Sequence, residues 1–307
     1  MNPFNVFKYV PLSVMRAMAL FVVAVAKYIP NLTIKEITMV NLRLVYPELS
    51  DKQRRKFKST ILRNQALSTV ESIKCWAMPP EWSIEQIDNV FNREILEEAL
   101  ANPNGMLAIV PHLGTWEMMN AWLNQFGSPT ILYKPTKGKV SNDFVLQGRQ
   151  RLNATLVPTD ASGVKALFKT LKSGGFSIIL PDHVPQPSGG ITVPFFGIET
   201  LSSTLAPKLA SKTKCALVGL TCLRNKNNRF DIYCTKLDNP ELYSKDLMVS
   251  TKALNQAMEN MIKVNPEHYM WSYKRFKRIP FIQNPYKATE EQLQSYINNY
   301  ILPQENH

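Results

Sequence analysis

The sequence predicts an α/β fold, a largely parallel central sheet with helices on both faces, preceded by a helical amino-terminal extension. Three observations predict it. Short apolar runs recur from residue 106 onward. Segments of helical periodicity separate most of them, the alternation expected of strand–helix–strand units. Runs such as Met106-Leu-Ala-Ile-Val are apolar on both faces of the pleat, as strands covered by helices on both sides must be.

Residues 1–30 read as a membrane-associating helix, and residues 31–307 as a single α/β domain. The apolar segment Leu12 to Ile29 is interrupted by Arg16 and Lys27. Its uncharged stretch, Ala17 to Ala26, falls short of the ~20 apolar residues that span a bilayer. A helix lying in the membrane interface, with Tyr28 and the lysines at headgroup level, fits better. Ala24-Val25-Ala26 resembles a signal-peptide cleavage site, but Pro11 and the weakly charged leader are poor features for one.

Residues 33–45 and 51–76 are helix-like, with Ser50 or Asp51 capping the second and Pro79-Pro80 stopping it. A further helix is expected over 92–100. Strands are expected at 106–110, 130–133, 155–157, 177–180, 216–223 and 230–235, and helices at 116–126, 140–152, 163–171 and 201–211. The stretch 189–197, with Phe195 and Phe196, reads as a loop whose aromatics either wall a substrate site or pack on the core.

The formal net charge is +12, and the basic residues bunch. Clusters are Lys52, Arg54, Arg55, Lys56 and Lys58; Lys134, Lys137 and Lys139; and Lys274, Arg275, Lys277 and Arg278. Such a balance suits an anionic membrane or a phosphorylated substrate. No recognisable nucleic-acid module accompanies it, so no nucleic-acid partner is expected. Cys75, Cys215, Cys222 and Cys234 form no C-x-x-C pair and read as buried free thiols. His112, His183, His268 and His307 are too scattered for a metal motif. A G-x-S-x-G elbow, a P-loop and G-x-G-x-x-G are all missing.

The chemistry concentrates in His112-Leu-Gly-Thr-Trp-Glu117, which follows the apolar run at 106–110. His112 sits at the mouth of a strand, Thr115 is placed to cap the next helix, and Glu117 lies in its first turn. A bend at Gly114 would fold the carboxylate back toward the imidazole. A carboxylate that fixes one ring nitrogen makes the other a general base. Taken alone, such a histidine is also an ordinary loop residue, and such a glutamate ordinary dipole compensation. Ser177-Ile-Ile-Leu-Pro-Asp182-His183 repeats the design, and in a parallel sheet both strand ends emerge at one edge, where ligands bind.

Five ordered blocks, from about residue 40 to 280, resemble the bacterial lipid A secondary acyltransferases, the lauroyl and myristoyl transferases of late lipid A assembly. They are Asn41-Leu-Arg-Leu-Val-Tyr-Pro-Glu48, His112 to Glu117, Gly148-Arg-Gln-Arg151, Leu180-Pro-Asp-His183 through Val193-Pro-Phe-Phe-Gly197, and Tyr269-Met-Trp-Ser-Tyr-Lys-Arg-Phe-Lys-Arg278. The resemblance implies a glycerolipid-acyltransferase-like fold and transfer of an acyl chain from acyl-carrier protein to a hydroxyl of an acylated lipid A precursor. It implies His112, Glu117, Arg149 and Asp182 as catalytic residues, Arg149 being a candidate donor to the developing oxyanion. Arg151, His183, Lys274 and Arg275 are the expected substrate contacts. At Val184 the chain departs from members that carry a second aspartate there. No cofactor or metal is expected, because a thioester is already activated. The expected partners are acyl-carrier protein, the lipid A precursor and a membrane surface. The expected location is the cytoplasmic face of the inner membrane, peripheral or with a single amino-terminal anchor. Rival readings are a transferase for another membrane lipid, such as a mannosyl-inositol or ornithine lipid, and a non-catalytic protein that binds anionic membranes.

Overall fold

A computed structural model describes residues 2–30, 32–135 and 138–302; Lys137 and His307 lie outside them. The chain opens with helices α1 (Leu12–Ala26), α2 (Thr33–Val45), α3 (Asp51–Ala77) and α4 (Pro80–Glu85), then β1 (Ile87–Phe91) and α5 (Arg93–Leu100). Strands and helices then alternate: β2 (Met106–Ile109), α6 (Trp116–Leu123), β3 (Thr130–Tyr133), α7 (Lys139–Gln150), β4 (Thr155–Pro158), α8 (Ala161–Lys172) and β5 (Phe176–Ile179). A hairpin of β6 (Gly190–Phe195) and β7 (Ile198–Ser203) precedes α9 (Leu205–Thr213), β8 (Ala216–Arg224), β9 (Phe230–Lys236), α10 (Leu247–Val264) and α11 (Glu290–Tyr300).

The central sheet has the order β1-β9-β8-β2-β5-β3-β4 and is parallel except where β9 runs antiparallel to β8. The exception follows from a short connection: the chain reverses between Asn225 and Arg229, whose backbones hydrogen-bond at 2.8 Å. A parallel crossover needs far more chain. Along β2, Leu107 and Ile109 enter one core while Met106, Ala108 and Val110 enter the other, so the sheet is buried on both faces as its apolar runs predict.

Several elements differ from the sequence expectations. β1 is a half-exposed edge strand, Ile-Asp-Asn-Val-Phe, with no apolar run to betray it. The expected loop at 189–197 is mostly hairpin strand, and Phe195 is fully buried in the core. The helix expected from 201 begins at Leu205, because residues up to Ser203 pair with β6. α10 and α11 are amphipathic helices beyond the last expected strand.

The amino-terminal helices are fastened to this domain by specific bonds. Ser50 and Gln53 form a capping box at the start of α3. α1 lies on α3 with Met15 and Ala19 buried, while Val14, Met18, Phe21, Val22 and Val25 stay exposed. Lys74, on α3, donates from Nζ to the carbonyls of Phe7, Lys8 and Val10. Among the described residues no helix is long and apolar enough to cross a membrane.

Candidate active site

β2 and β5 are paired in register, with Ile109 opposite Ile179. Three residues farther along each strand stand His112 and Asp182, and the register carries through to their side chains. Asp182 Oδ1 lies 2.7 Å from His112 Nδ1, and Asp182 Oδ2 accepts from the His112 backbone N–H at 2.9 Å. Asp182 is buried, and burial alone would raise its pKa. The charges of His112 and His183 and the His112 hydrogen bonds outweigh this and hold the carboxyl well below its ordinary range. An ionised carboxylate only accepts, so Nδ1 is the donor to it, and in the neutral form of the ring the free lone pair falls on Nε2. The His112 side chain is 18% exposed.

The loop after His112 is clamped from both sides. Met270 donates its N–H to the His112 carbonyl at 3.0 Å, and Gly114 donates to the His268 carbonyl at 3.0 Å. Thr115 N–H reaches the Cys222 carbonyl at 2.9 Å. Gly114 has φ +73°, and a Cβ there would meet the Cys222 oxygen at 2.0 Å, so the turn requires glycine.

Glu117 does not reach the imidazole. The Gly114 turn and the α6 helix carry it to Arg149 on α7, which donates to it from Nε at 3.2 Å and from Nη2. The Arg149 guanidinium also lies over the Trp116 ring (4.8 Å) and the Tyr133 ring (5.7 Å). α7 approaches this closely because Gly148 faces Trp76, where a Cβ would come within 2.7 Å of the Trp76 backbone. The partner of His112 is thus Asp182 and not the expected Glu117, which instead fixes Arg149. Thr115 makes no side-chain cap; its hydroxyl donates to Glu71 at 2.8 Å.

His183 stacks on His112, ring centroids 4.0 Å apart, and on Tyr273 at 4.2 Å. Desolvation of its covered faces, then the His112 charge, push its pKa down to about 4, so the ring is neutral near pH 7. The Tyr273 hydroxyl accepts from the Val184 N–H at 3.0 Å.

Other expected substrate contacts have structural work. Arg275 is buried, donating to the Leu201 carbonyl and the Ser202 hydroxyl and lying over Phe195. Trp271 and Phe276 are buried with it, so Arg275 leaves the basic cluster, whereas Lys274 and Lys277 are half-buried and Arg278 is exposed. Lys274 lies over the Tyr286 ring at 5.9 Å. Arg151 donates to the Trp76 carbonyl at 3.0 Å, tying α7 to the end of α3. Arg54 is buried and donates to the Leu49 carbonyl, so it leaves the basic surface cluster. Asn41 donates to the Trp271 and Tyr273 carbonyls and accepts from Tyr286, positioning the segment behind His183. The thiols of Cys215, Cys222 and Cys234 are buried and Cys75 is half-buried, all unpaired.

One cluster escaped the sequence reading. Glu71, fully buried on α3, accepts from Arg16 Nε of α1 (2.8 Å) and Arg224 Nε of β8 (2.6 Å) as well as from Thr115. Its only trace in the sequence is one carboxylate within Leu67-Ser-Thr-Val-Glu-Ser-Ile-Lys, and its partners lie far away along the chain.

Comparison with known proteins places this geometry. The family described as bacterial lipid A biosynthesis acyltransferase matches residues 5–278. A lipid A biosynthesis lauroyltransferase of Escherichia coli (strain K12) is 28% identical over 246 residues, 78% of each chain. A lipid A biosynthesis palmitoleoyltransferase of the same strain is 24% identical over 255 residues, 80% of this chain and 79% of its own. A lipid A biosynthesis acyltransferase of Haemophilus influenzae is 21% identical over 234 residues, 75% and 72% of the two chains. The match embraces the His112 loop, the Arg149 helix and the Asp182 strand end together, and the chain belongs to the bacterial lipid A biosynthesis acyltransferase family and is an acyltransferase.

Proposed function

We propose that this acyltransferase moves a fatty acyl chain from acyl-carrier protein to a hydroxyl of an acylated lipid A precursor, with His112 Nε2 as general base. The observation that carries the reading is the His112–Asp182 pair at the edge of the sheet, in which the carboxylate engages Nδ1 and makes Nε2 the nitrogen that accepts a proton in the neutral ring. The acceptor O–H gives its proton to Nε2 as its oxygen attacks the thioester carbonyl. The tetrahedral intermediate collapses with cleavage of the C–S bond, and the leaving thiolate takes the proton from the imidazolium. Asp182 holds the ring and stabilises its cationic state, a form of catalysis worth roughly 10²–10⁴-fold. Arg149, fixed by Glu117 and its aromatic neighbours, is the candidate for stabilising negative charge; one such donor is worth on the order of 3 kcal/mol. The thioester supplies the activation, so the scheme uses no cofactor.

The +12 charge favours an acidic carrier protein and a phosphorylated acceptor. The uncovered apolar stripe of α1, from Val14 through Met18 and Phe21 to Val25, supports docking in a membrane interface; we place that interface at the cytoplasmic face of the inner membrane. The test is direct. Purified enzyme, acyl-carrier-protein thioester and lipid A precursor are combined, and the product is weighed by mass spectrometry. One added acyl chain with the wild type and none with His112→Ala is the expected result. Full turnover by His112→Ala would overturn the mechanism, and failure to acylate any lipid A precursor would overturn the substrate.

A further inference from the structure

A cavity of about 530 Å³, of ligand size, opens between α1, α2 and α3. Its floor is apolar, built from Val23 and Ala26 of α1, Leu32 and Ile34 leading into α2, and Leu62 and Ala66 of α3. Its rim is cationic and holds Lys27, Lys35, Arg55 and Lys58, with no acidic side chain in the lining among the described residues. Lys35 is engaged internally, donating to the carbonyls of Ala26 and Ile29. Lys27, Arg55 and Lys58 form no ion pair among the described residues. Lys58 is half-buried, and burial, then the Lys35 and Arg55 charges, lower its pKa.

The cavity also has a direction. Gln65 and Thr69 line it, and Gln65 hydrogen-bonds Ser272. Ser272 adjoins Tyr273, whose ring stacks on His183 and through it on His112. The mouth lies beside the exposed apolar face of α1, where Val22 itself lines the opening. An apolar trough with an unneutralised cationic rim complements an amphiphile with an apolar tail and an anionic head.

We propose that this trough seats one acyl chain of the acceptor lipid, with a phosphate of its headgroup held at Arg55 and Lys58. The assignment rests on the acyl-transfer reading above. It adds a second point of attachment, by which a lipid leaving the membrane along α1 is held while its hydroxyl reaches His112.

Dodecyl phosphate, kept below its micelle concentration, is the probe, titrated calorimetrically against the full-length enzyme. Binding at least tenfold tighter than that of dodecanol or inorganic phosphate is expected, since neither alone fills trough and rim. Leu62→Trp, which fills the floor, and Arg55→Glu/Lys58→Glu, which reverses the rim, should each weaken binding tenfold or more. In the transfer assay the same variants should raise KM for the acceptor tenfold or more while leaving KM for the acyl donor within twofold. Thermal unfolding checks that the variants are folded, and the single exposed change Arg55→Glu keeps the test available if Leu62→Trp is not. Equal binding of dodecyl phosphate by wild type and variants overturns the site. Weakened binding with unchanged acceptor KM overturns the acceptor assignment and makes the occupant a bystander membrane phospholipid. The titration reads the trough whether or not the enzyme turns over, so failure of the transfer reaction is a separate result.

Discussion

Asp182 holds His112 at two points, Oδ1 on the ring Nδ1 and Oδ2 on the backbone N–H. One carboxylate therefore sets the position of the main chain at the strand end and the tautomer of the ring it carries. In the proposed mechanism this makes Asp182 the residue through which His112 is prepared as the base. Asp182→Asn should lower kcat by about 10²–10⁴-fold with little change in either KM, since an amide can donate to Nδ1 and trap the wrong tautomer. Steady-state kinetics on folded protein checks this. A fall of less than tenfold would remove Asp182 from the mechanism.

The Glu117–Arg149 pair is nearly buried, with side chains 3% and 16% exposed. Removing one partner leaves a guanidinium or carboxylate uncompensated, which costs on the order of 3 kcal/mol. Glu117→Ala should therefore lower the unfolding midpoint, and the double variant Glu117→Ala/Arg149→Met should recover part of that loss without recovering transfer. Arg149→Lys should lose most of the activity, because an ammonium cannot make the forked bond to Glu117 while lying flat on Trp116. Calorimetry and product formation together test both statements.

His183 gives the protein an acid-side liability. Its folded pKa is about 4 against an ordinary 6.5, so between these values the unfolded chain binds a proton that the folded one does not. The stability contribution of the neutral ring is full above pH 6.5 and is lost as pH falls toward 4. His183→Phe, which keeps a stackable ring, should flatten the pH dependence of the unfolding midpoint across this window while leaving the fold intact. An unchanged slope would mean that another group titrates there.

Gly114→Ala should be among the most damaging single-atom changes in the molecule. It places a methyl group 2.0 Å from the Cys222 oxygen in a left-handed backbone conformation. The 112–115 loop must move to relieve this, so loss of transfer should exceed loss of stability. Comparison of activity with unfolding midpoint decides the point.

The exposed stripe on α1 makes its own prediction. Met18→Glu/Phe21→Glu should reduce co-sedimentation with anionic vesicles and leave the unfolding midpoint unchanged, because both side chains are more than 60% exposed.

The sheet was legible because its central strands are apolar on both faces and closed by Pro111 and Pro181. The same two prolines mark strand ends that a parallel register brings together, and this is why Asp182 and His183 could be placed near His112 from sequence. The partner of His112 was misread because contiguity favoured Glu117, five residues away, over a residue seventy positions distant that only strand register makes adjacent. Arg275 was misread because composition shows a basic cluster but not which member points inward to Ser202. Glu71 was missed because a buried charge is recognised by its partners, and Arg16 and Arg224 are brought to it only by tertiary folding.

That Glu71 cluster bears on how the enzyme tolerates shortening. Arg16 is the contribution of the first helix to a carboxylate that also steadies Thr115, three residues after His112. A chain trimmed at Ala26 to improve solubility would lose Arg16 and leave Glu71 with Arg224 as its remaining cation. The trimmed protein would trade an awkward surface for a buried electrostatic fault directly behind the His112 loop. The greasy first helix is then a component of the frame behind the His112 loop, whatever its apolar face meets.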